Sequence, residues 1–155
     1  MARNSLTVIT DNSFPLLPAL AILYLSGNTI EKIHEKGFSE VAGVRSLDLE
    51  DNALYQVPTA ALQSFHRLEE LKVGQNQFTV IQAGSFRGLK KLRSLDVSGC
   101  PELVELAKDA LEGCDDIETL RISSNRKLDF IHPGSLGGRL TRLRSLDLSS
   151  NALTR

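Results

Sequence analysis

Apolar residues recur along this chain in two superimposed rhythms. Within short segments they alternate with polar residues, and the alternating segments themselves return at a near-constant interval. The stretch from Leu20 to Gly43 places apolar side chains at Leu20, Leu23, Leu25, Ile30, Ile33, Phe38 and Val41. Two intervals farther on, the same positions are Leu68, Leu71, Val73, Phe78, Ile81, Phe86 and Leu89. Period-two alternation predicts a short strand with one face buried. Each alternating segment runs into a polar position that is asparagine at Asn4, Asn28, Asn52, Asn76, Asn125 and Asn151 and cysteine at Cys100. In order along the chain, the steps between these positions are 24, 24, 24, 24, 25 and 26. The longer steps gain a residue between Cys100 and Leu103, another between Asn125 and Leu128, and a third near Gly137, Gly138 and Arg139.

Self-similarity at such a period signals stacked units, each too small to bury its own apolar face. Successive strands are expected to form one parallel sheet, with the later apolar positions filling the core from the opposite side. The asparagines form a structural ladder (Asn28, Asn52, Asn76, Cys100, Asn125, Asn151) at the turn off each strand. An amide there offers two donors and an acceptor to backbone groups of neighbouring coils.

The segments Leu23–Asn28, Leu47–Asn52, Leu71–Asn76 and Leu146–Asn151, with Leu95–Cys100 and Leu120–Asn125 as close variants, resemble the leucine-rich repeat pattern LxxLxLxxNxLxxLxxxxFxxLxx. The repeat length and the phenylalanines at Phe14, Phe38 and Phe86 are similar to the typical subclass of that family, common in extracellular animal proteins. The resemblance implies an α/β solenoid: a right-handed coil with a concave parallel sheet, an irregular or short-helical convex side, and a phenylalanine spine running from coil to coil. It implies one array over residues 1–155, with full repeats at 20–43, 44–67, 68–91, 92–116 and 117–142 and partial ones at 1–19 and 143–155. Both ends fall within a repeat. That points to a fragment lacking both caps, with uncapped ends open to self-association.

A longer period of two repeats sets the charges. Val44-Arg-Ser-Leu-Asp, Leu92-Arg-Ser-Leu-Asp and Leu143-Arg-Ser-Leu-Asp are near copies, and between them stand Leu68-Glu-Glu-Leu-Lys and Ile117-Glu-Thr-Leu-Arg. The strand-centre column therefore reads Asp48, Lys72, Asp96, Arg121, Asp147, and the column before it reads Arg45, Glu69, Arg93, Glu118, Arg144. Strands about 4.8 Å apart set each charge beside opposite ones, so the columns are expected to neutralise themselves. The first full repeat differs, with Ile22 and Tyr24 at the outward positions. Ile22, Tyr24, Asp48, Glu50, Lys72, Asp96, Arg121 and Asp147 are the candidate binding residues of the concave face.

Composition narrows the function. With 18 Lys plus Arg against 19 Asp plus Glu and a net charge of -1, the chain lacks the basic excess of a nucleic-acid binder. No apolar run is long enough to insert in a membrane. His34 and His132 occupy the same place in repeats four coils apart, roughly 20 Å by strand spacing, which is too far to share a metal. No cofactor, metal or catalytic motif is expected. Cys100 and Cys114 are expected to be buried free thiols. The residues thus lead to the expectation of a non-catalytic scaffold that binds another protein through its concave face. The family resemblance places it in a cell-surface or adhesion ectodomain or a secreted binder. The alternatives are a cytoplasmic adaptor, or the recognition arm of a receptor kinase.

Overall fold

The computed structural model describes residues 1–136 and 140–154; Gly137, Gly138 and Arg139, where an inserted residue is expected, lie outside the described residues. In chain order the elements are β1 (Val8–Ile9), β2 (Ile22–Tyr24), β3 (Lys32–Ile33), a single 3-10 turn (Ser39–Val41), β4 (Ser46–Asp48), α1 (Thr59–Leu62), β5 (Glu70–Lys72), β6 (Val80–Ile81), β7 (Ser94–Asp96), β8 (Glu105–Leu106), β9 (Thr119–Arg121), β10 (Phe130–Ile131) and β11 (Ser145–Asp147). Six of the strands form one parallel sheet in the order β11-β9-β7-β5-β4-β2. The register follows the repeat: Leu23 faces Leu47, Leu47 faces Leu71, Leu71 faces Leu95 and Leu95 faces Leu120. This is the solenoid that the spacing predicts, about six coils of parallel strand with little helix.

One continuous aliphatic core runs through the coils. Leu25, Leu49, Val73 and Ile30 are fully buried from the strand side, and Phe38, Leu62, Phe86 and Leu89 close it from the other. The phenylalanine spine is shorter than expected. Phe14 stacks on Phe38 with ring centroids 6.3 Å apart, and Phe38 meets Phe65 at 4.9 Å. Phe65 stands in the column of Val41 and Leu89, while Leu62 occupies the Phe38 column. Phe86 is fully buried but, among the described residues, does not extend the stack.

A second set of two-residue strands runs along the outer flank, β1 with β3 and β6 with β8 and β10. The set is interrupted at the coil of α1, and Pro58 is the reason. In the same column, the His34 N–H donates to Ile9 at 2.8 Å, the Ala107 N–H to Ile81 at 3.0 Å and the His132 N–H to Leu106 at 3.0 Å. Proline has no such hydrogen, so the ladder breaks there and the chain forms a helical turn. Both histidines cap turns. Nδ1 of His34 accepts from the Lys36 N–H at 3.2 Å, and Nδ1 of His132 from the Gly134 N–H at 3.0 Å.

The asparagine ladder joins each coil to the one before it. Oδ1 of Asn76 accepts from the Leu54 N–H at 3.1 Å, and its Nδ2 donates to the carbonyls of Leu49 at 3.1 Å and Val73 at 2.9 Å. Asn52 does the same for Ile30, and Asn125 for Cys100. The residue just before each ladder position is left-handed: Arg3, Gly27, Asp51, Gln75, Gly99, Ser124 and Ser150 all have φ between 50 and 72°. That turn sends the chain off the strand and aims the ladder side chain inward. Only two of these positions use glycine, so the others hold a conformation that costs an L-residue roughly 1 to 2 kcal/mol.

Candidate concave binding face

The outward side chains of the six strands make up the concave face, and in β2 they are Ile22 and Tyr24. Ile22 is 50% exposed and Tyr24 57% exposed, although both sit on a strand whose central Leu23 is buried. From Asn12 to Ile30 no residue carries a charge. The strand bearing these two side chains is therefore uncharged, unlike every other strand of the sheet. In register, Tyr24 faces Asp48 and Ile22 faces Ser46. A shallow recess of about 440 Å³ opens beside Ile22, walled by Arg45, Glu69 and Arg93.

The charged columns pair less than the sequence suggests. Arg45 meets Glu69 at 3.9 Å and Arg121 meets Asp147 at 3.2 Å. Asp48, Lys72 and Asp96 close no ion pair among the described residues. Two of the aspartates, Asp48 and Asp147, turn to the main chain. Oδ1 of Asp48 accepts from the Glu50 N–H at 2.9 Å, and Oδ1 of Asp147 from the Ser149 N–H at 2.9 Å. A local bond of this type orders fewer torsions than an exposed ion pair between two long side chains. The Ser149 hydroxyl and N–H, helped by Arg121, hold the Asp147 carboxyl below the usual carboxylate range. In Asp96, Oδ1 is buried and meets no hydrogen-bond partner among the described residues.

Beyond the strand centres, Asp48, Glu50, Asp51 and Gln75 line a second recess of about 260 Å³, with Arg3 at its rim. The Gln75 amide donates to Oε1 of Glu50 at 2.7 Å. Sequence columns drawn on the strands identify Asp48 and Glu50 but miss Asp51 and Gln75, which lie on the left-handed turn. Two adjacent turn positions of polar character are the signal that would have found them. Farther along, the turn side of the face holds small hydroxyls, and the Ser98 and Ser123 oxygens lie 3.1 Å apart.

The ladder residues lie inward of this face. Asn28, Asn52, Asn76 and Asn125 are buried, and Asn151 is half-buried. Cys100 is a buried free thiol, as is Cys114, whose Sγ lies 3.4 Å from the Phe86 carbonyl oxygen. Burial pushes the Cys100 thiol up to about 11, against the opposing pull of the backbone N–H groups of Asn76 and Gln75. Burial likewise pushes Cys114 up to about 12. Neither is poised as a nucleophile at neutral pH. Among the described residues no group of three or more His, Cys, Asp or Glu is placed to hold a metal, and no helix is long and apolar enough to cross a membrane.

Comparison with known proteins fits this geometry. The chain is 30% identical over 166 residues to Toll-like receptor 3 of Bos taurus, a match covering 99% of this chain and 18% of that protein. It is 31% identical over 135 residues to vasorin of Homo sapiens, covering 87% of this chain and 20% of the relative. Chaoptin of Drosophila melanogaster is 31% identical over 164 residues, covering 99% of this chain and 12% of its own length. The chain thus spans about a fifth or less of these relatives. Among solved structures, a TLR13–ssRNA13 complex superposes with a TM-score of 0.73 at 28% identity, covering 99% of this chain and 25% of that one. The family described as leucine rich repeat matches residues 1–54, 42–101 and 102–155. Residues matched along the whole length, on coils whose Leu and Asn positions do what that repeat requires of them, place this chain in the leucine rich repeat family.

Proposed function

We propose that this chain is a non-catalytic recognition scaffold that docks a protein on its concave sheet, within the ectodomain of a cell-surface receptor or adhesion protein or a secreted binder. The observation that carries the reading is the exposure of Ile22 and Tyr24, at 50% and 57%, side by side on the one uncharged strand of an otherwise charged sheet. Aromatic side chains of this kind supply large apolar area at small entropic cost when a partner covers them. The Toll-like receptor among the relatives supports the same class of role, as does a core whose polar ladder is spent on architecture. The array reads as one recognition unit over residues 1–155.

The test is site-specific photocrosslinking on cells and in secreted material. A photoreactive phenylalanine analogue is placed at position 24 and, in a second protein, at position 130 on the outer flank. Phe130 is 46% exposed and so is a comparably accessible control. Adducts with a protein are expected from position 24. Adducts from position 130 alone would assign binding to the outer flank and end the concave reading.

A further inference from the structure

We infer that the partner segment seated on this face carries an apolar side chain with arginine or lysine close beside it. The inference rests on the concave docking proposed above and specifies the chemistry of its occupant. Three observations lead to it.

The anchor lies at one end of a graded surface. Across β2, β4 and β5 and their turns, the outward charges are Asp48, Glu50, Asp51, Glu69 and Glu70 against Arg45, Lys72 and Arg3, which lines the recess of Glu50 and Asp51. Across β7, β9 and β11 they are balanced: Arg93, Arg121 and Arg144 against Asp96, Glu118 and Asp147. The negative excess of the face is therefore confined to the strands beside Ile22 and Tyr24.

Most of those carboxylates also lack a cationic partner among the described residues. Glu69 pairs with Arg45, but Asp48, Glu50, Asp51 and Glu70 close no ion pair among the described residues. Among the described residues the Glu70 carboxylate takes only the Ser46 hydroxyl, at 2.8 Å, and that of Glu50 only the Gln75 amide. Arg3 reaches the rim of their recess, and Lys72 neighbours Asp48 in register, without either closing a bridge.

The spacing suits one segment. Tyr24 faces Asp48 across adjacent strands, a separation of about 5 Å. The recess holding Glu50 and Asp51 is also lined by Ser26 and Gly27, on the turn that follows the tyrosine's strand. A side chain packed on Ile22 and Tyr24 therefore brings its neighbours in sequence over the carboxylates. Apolar area supplies the affinity, and the charges select cationic neighbours and reject anionic ones. A polyanion such as the RNA in the TLR13 complex would meet the wrong sign of charge beside the anchor.

The experiment is selection of a phage-displayed library of random peptides on the immobilised chain, with a parallel selection on Tyr24→Ala protein. The enriched peptides are then synthesised and titrated by fluorescence anisotropy. Enrichment of an aromatic or aliphatic residue close in sequence to Arg or Lys is expected. Tyr24→Ala should weaken these peptides at least tenfold. Glu50→Gln with Asp51→Asn should weaken them about threefold to tenfold and flatten their salt dependence; asparagine tolerates the left-handed φ of 55° at position 51. Peptides that bind tightly and depend on Tyr24 but carry no basic preference would leave concave docking standing and overturn this inference. Peptides indifferent to Tyr24 would overturn both. A library yielding nothing above background, or displacement of the peptides by a single-stranded RNA oligonucleotide, counts against the inference.

Discussion

The backbone N–H of Cys100 donates to Oδ1 of Asn125 at 2.8 Å, yet Cys100 offers no oxygen to the coil before it. Ile30 and Leu54 present their N–H groups to Oδ1 of Asn52 and Asn76. Phe78 occupies the equivalent place before Cys100, and no oxygen acceptor meets its N–H among the described residues. Cys100→Asn is expected to complete the ladder and raise stability by about 1 kcal/mol, the net worth of a buried hydrogen bond. Urea denaturation with an unchanged m-value checks this. A loss of stability would show that the site is shaped for sulfur.

The converse change removes a rung. Asn76→Ala strips the acceptor from the Leu54 N–H and the donor from the Leu49 and Val73 carbonyls. The buried groups left behind cost about 1 to 3 kcal/mol. A thermal melt indistinguishable from that of the parent would contradict the role assigned to the ladder.

The left-handed turn makes a prediction of opposite sign. Gln75 holds φ at 50° with a side chain that is exposed. Gln75→Gly should relieve the steric conflict at that angle and stabilise the fold by about 1 kcal/mol, net of the added freedom of the unfolded chain. Gly74, one residue earlier, behaves differently. A Cβ there would lie 2.3 Å from the Ser98 carbonyl oxygen, which is backbone and cannot swing aside. Gly74→Ala is expected to force β5 and β7 apart at their ends and cost about 1 to 3 kcal/mol. Paired denaturation curves separate the two effects.

Alkaline pH should unfold this protein through its thiols. The ordinary cysteine value of 9.0 rises in the fold to about 11 at Cys100 and about 12 at Cys114. A raised value means the folded state keeps a proton that the unfolded state has lost. The stability is therefore complete below pH 9 and falls as pH rises from there through 11 and 12. Each pH unit of difference corresponds to about 1.4 kcal/mol. Cys114→Ala should lose stability on packing at pH 7 but show a shallower decline above pH 9. Both native thiols should resist a thiol reagent until denaturant is added.

On the binding face the expected ranking is clear. Tyr24→Ala should cost about 2 kcal/mol or more against a concave-face partner, as interface anchors do. Asp96→Ala should cost about 1 kcal/mol or less, since Asp96 closes no ion pair among the described residues and offers a partner little apolar area. Titration calorimetry with a crosslinked partner measures both. Comparable losses at the two sites would remove Tyr24 from its assigned place.

Much of this architecture is legible in the sequence because a fixed coil length turns sequence spacing into register. A shift by one repeat carries Leu23 onto Leu47, a second carries it onto Leu71, and the strands pair at those residues. What the spacing hides is decided by side-chain reach and main-chain approach. Phe65 joins the aromatic stack from a neighbouring column because its ring is long enough to reach Phe38. Asp48 lies beside Lys72 by register, but its rotamer serves the Glu50 N–H. The need for glycine at Gly74 exists only once β5 and β7 are side by side. Within the candidate face, Ile22 and Tyr24 stand out in the sequence as breaks in a charge pattern. Asp51 lies on a turn whose direction no alternation encodes.

The alternation of charge gives the array a parity. Excision of one coil, for example residues 68–91, would lay Asp48 directly beside Asp96 and Arg45 beside Arg93, two pairs of like charges about 5 Å apart at the junction. Excision of two coils, residues 44–91, would instead leave the repeating order of the remaining charges undisturbed. A solenoid written this way grows and shrinks without penalty only in pairs of coils, so the unit that can be copied, spliced or engineered is the doublet.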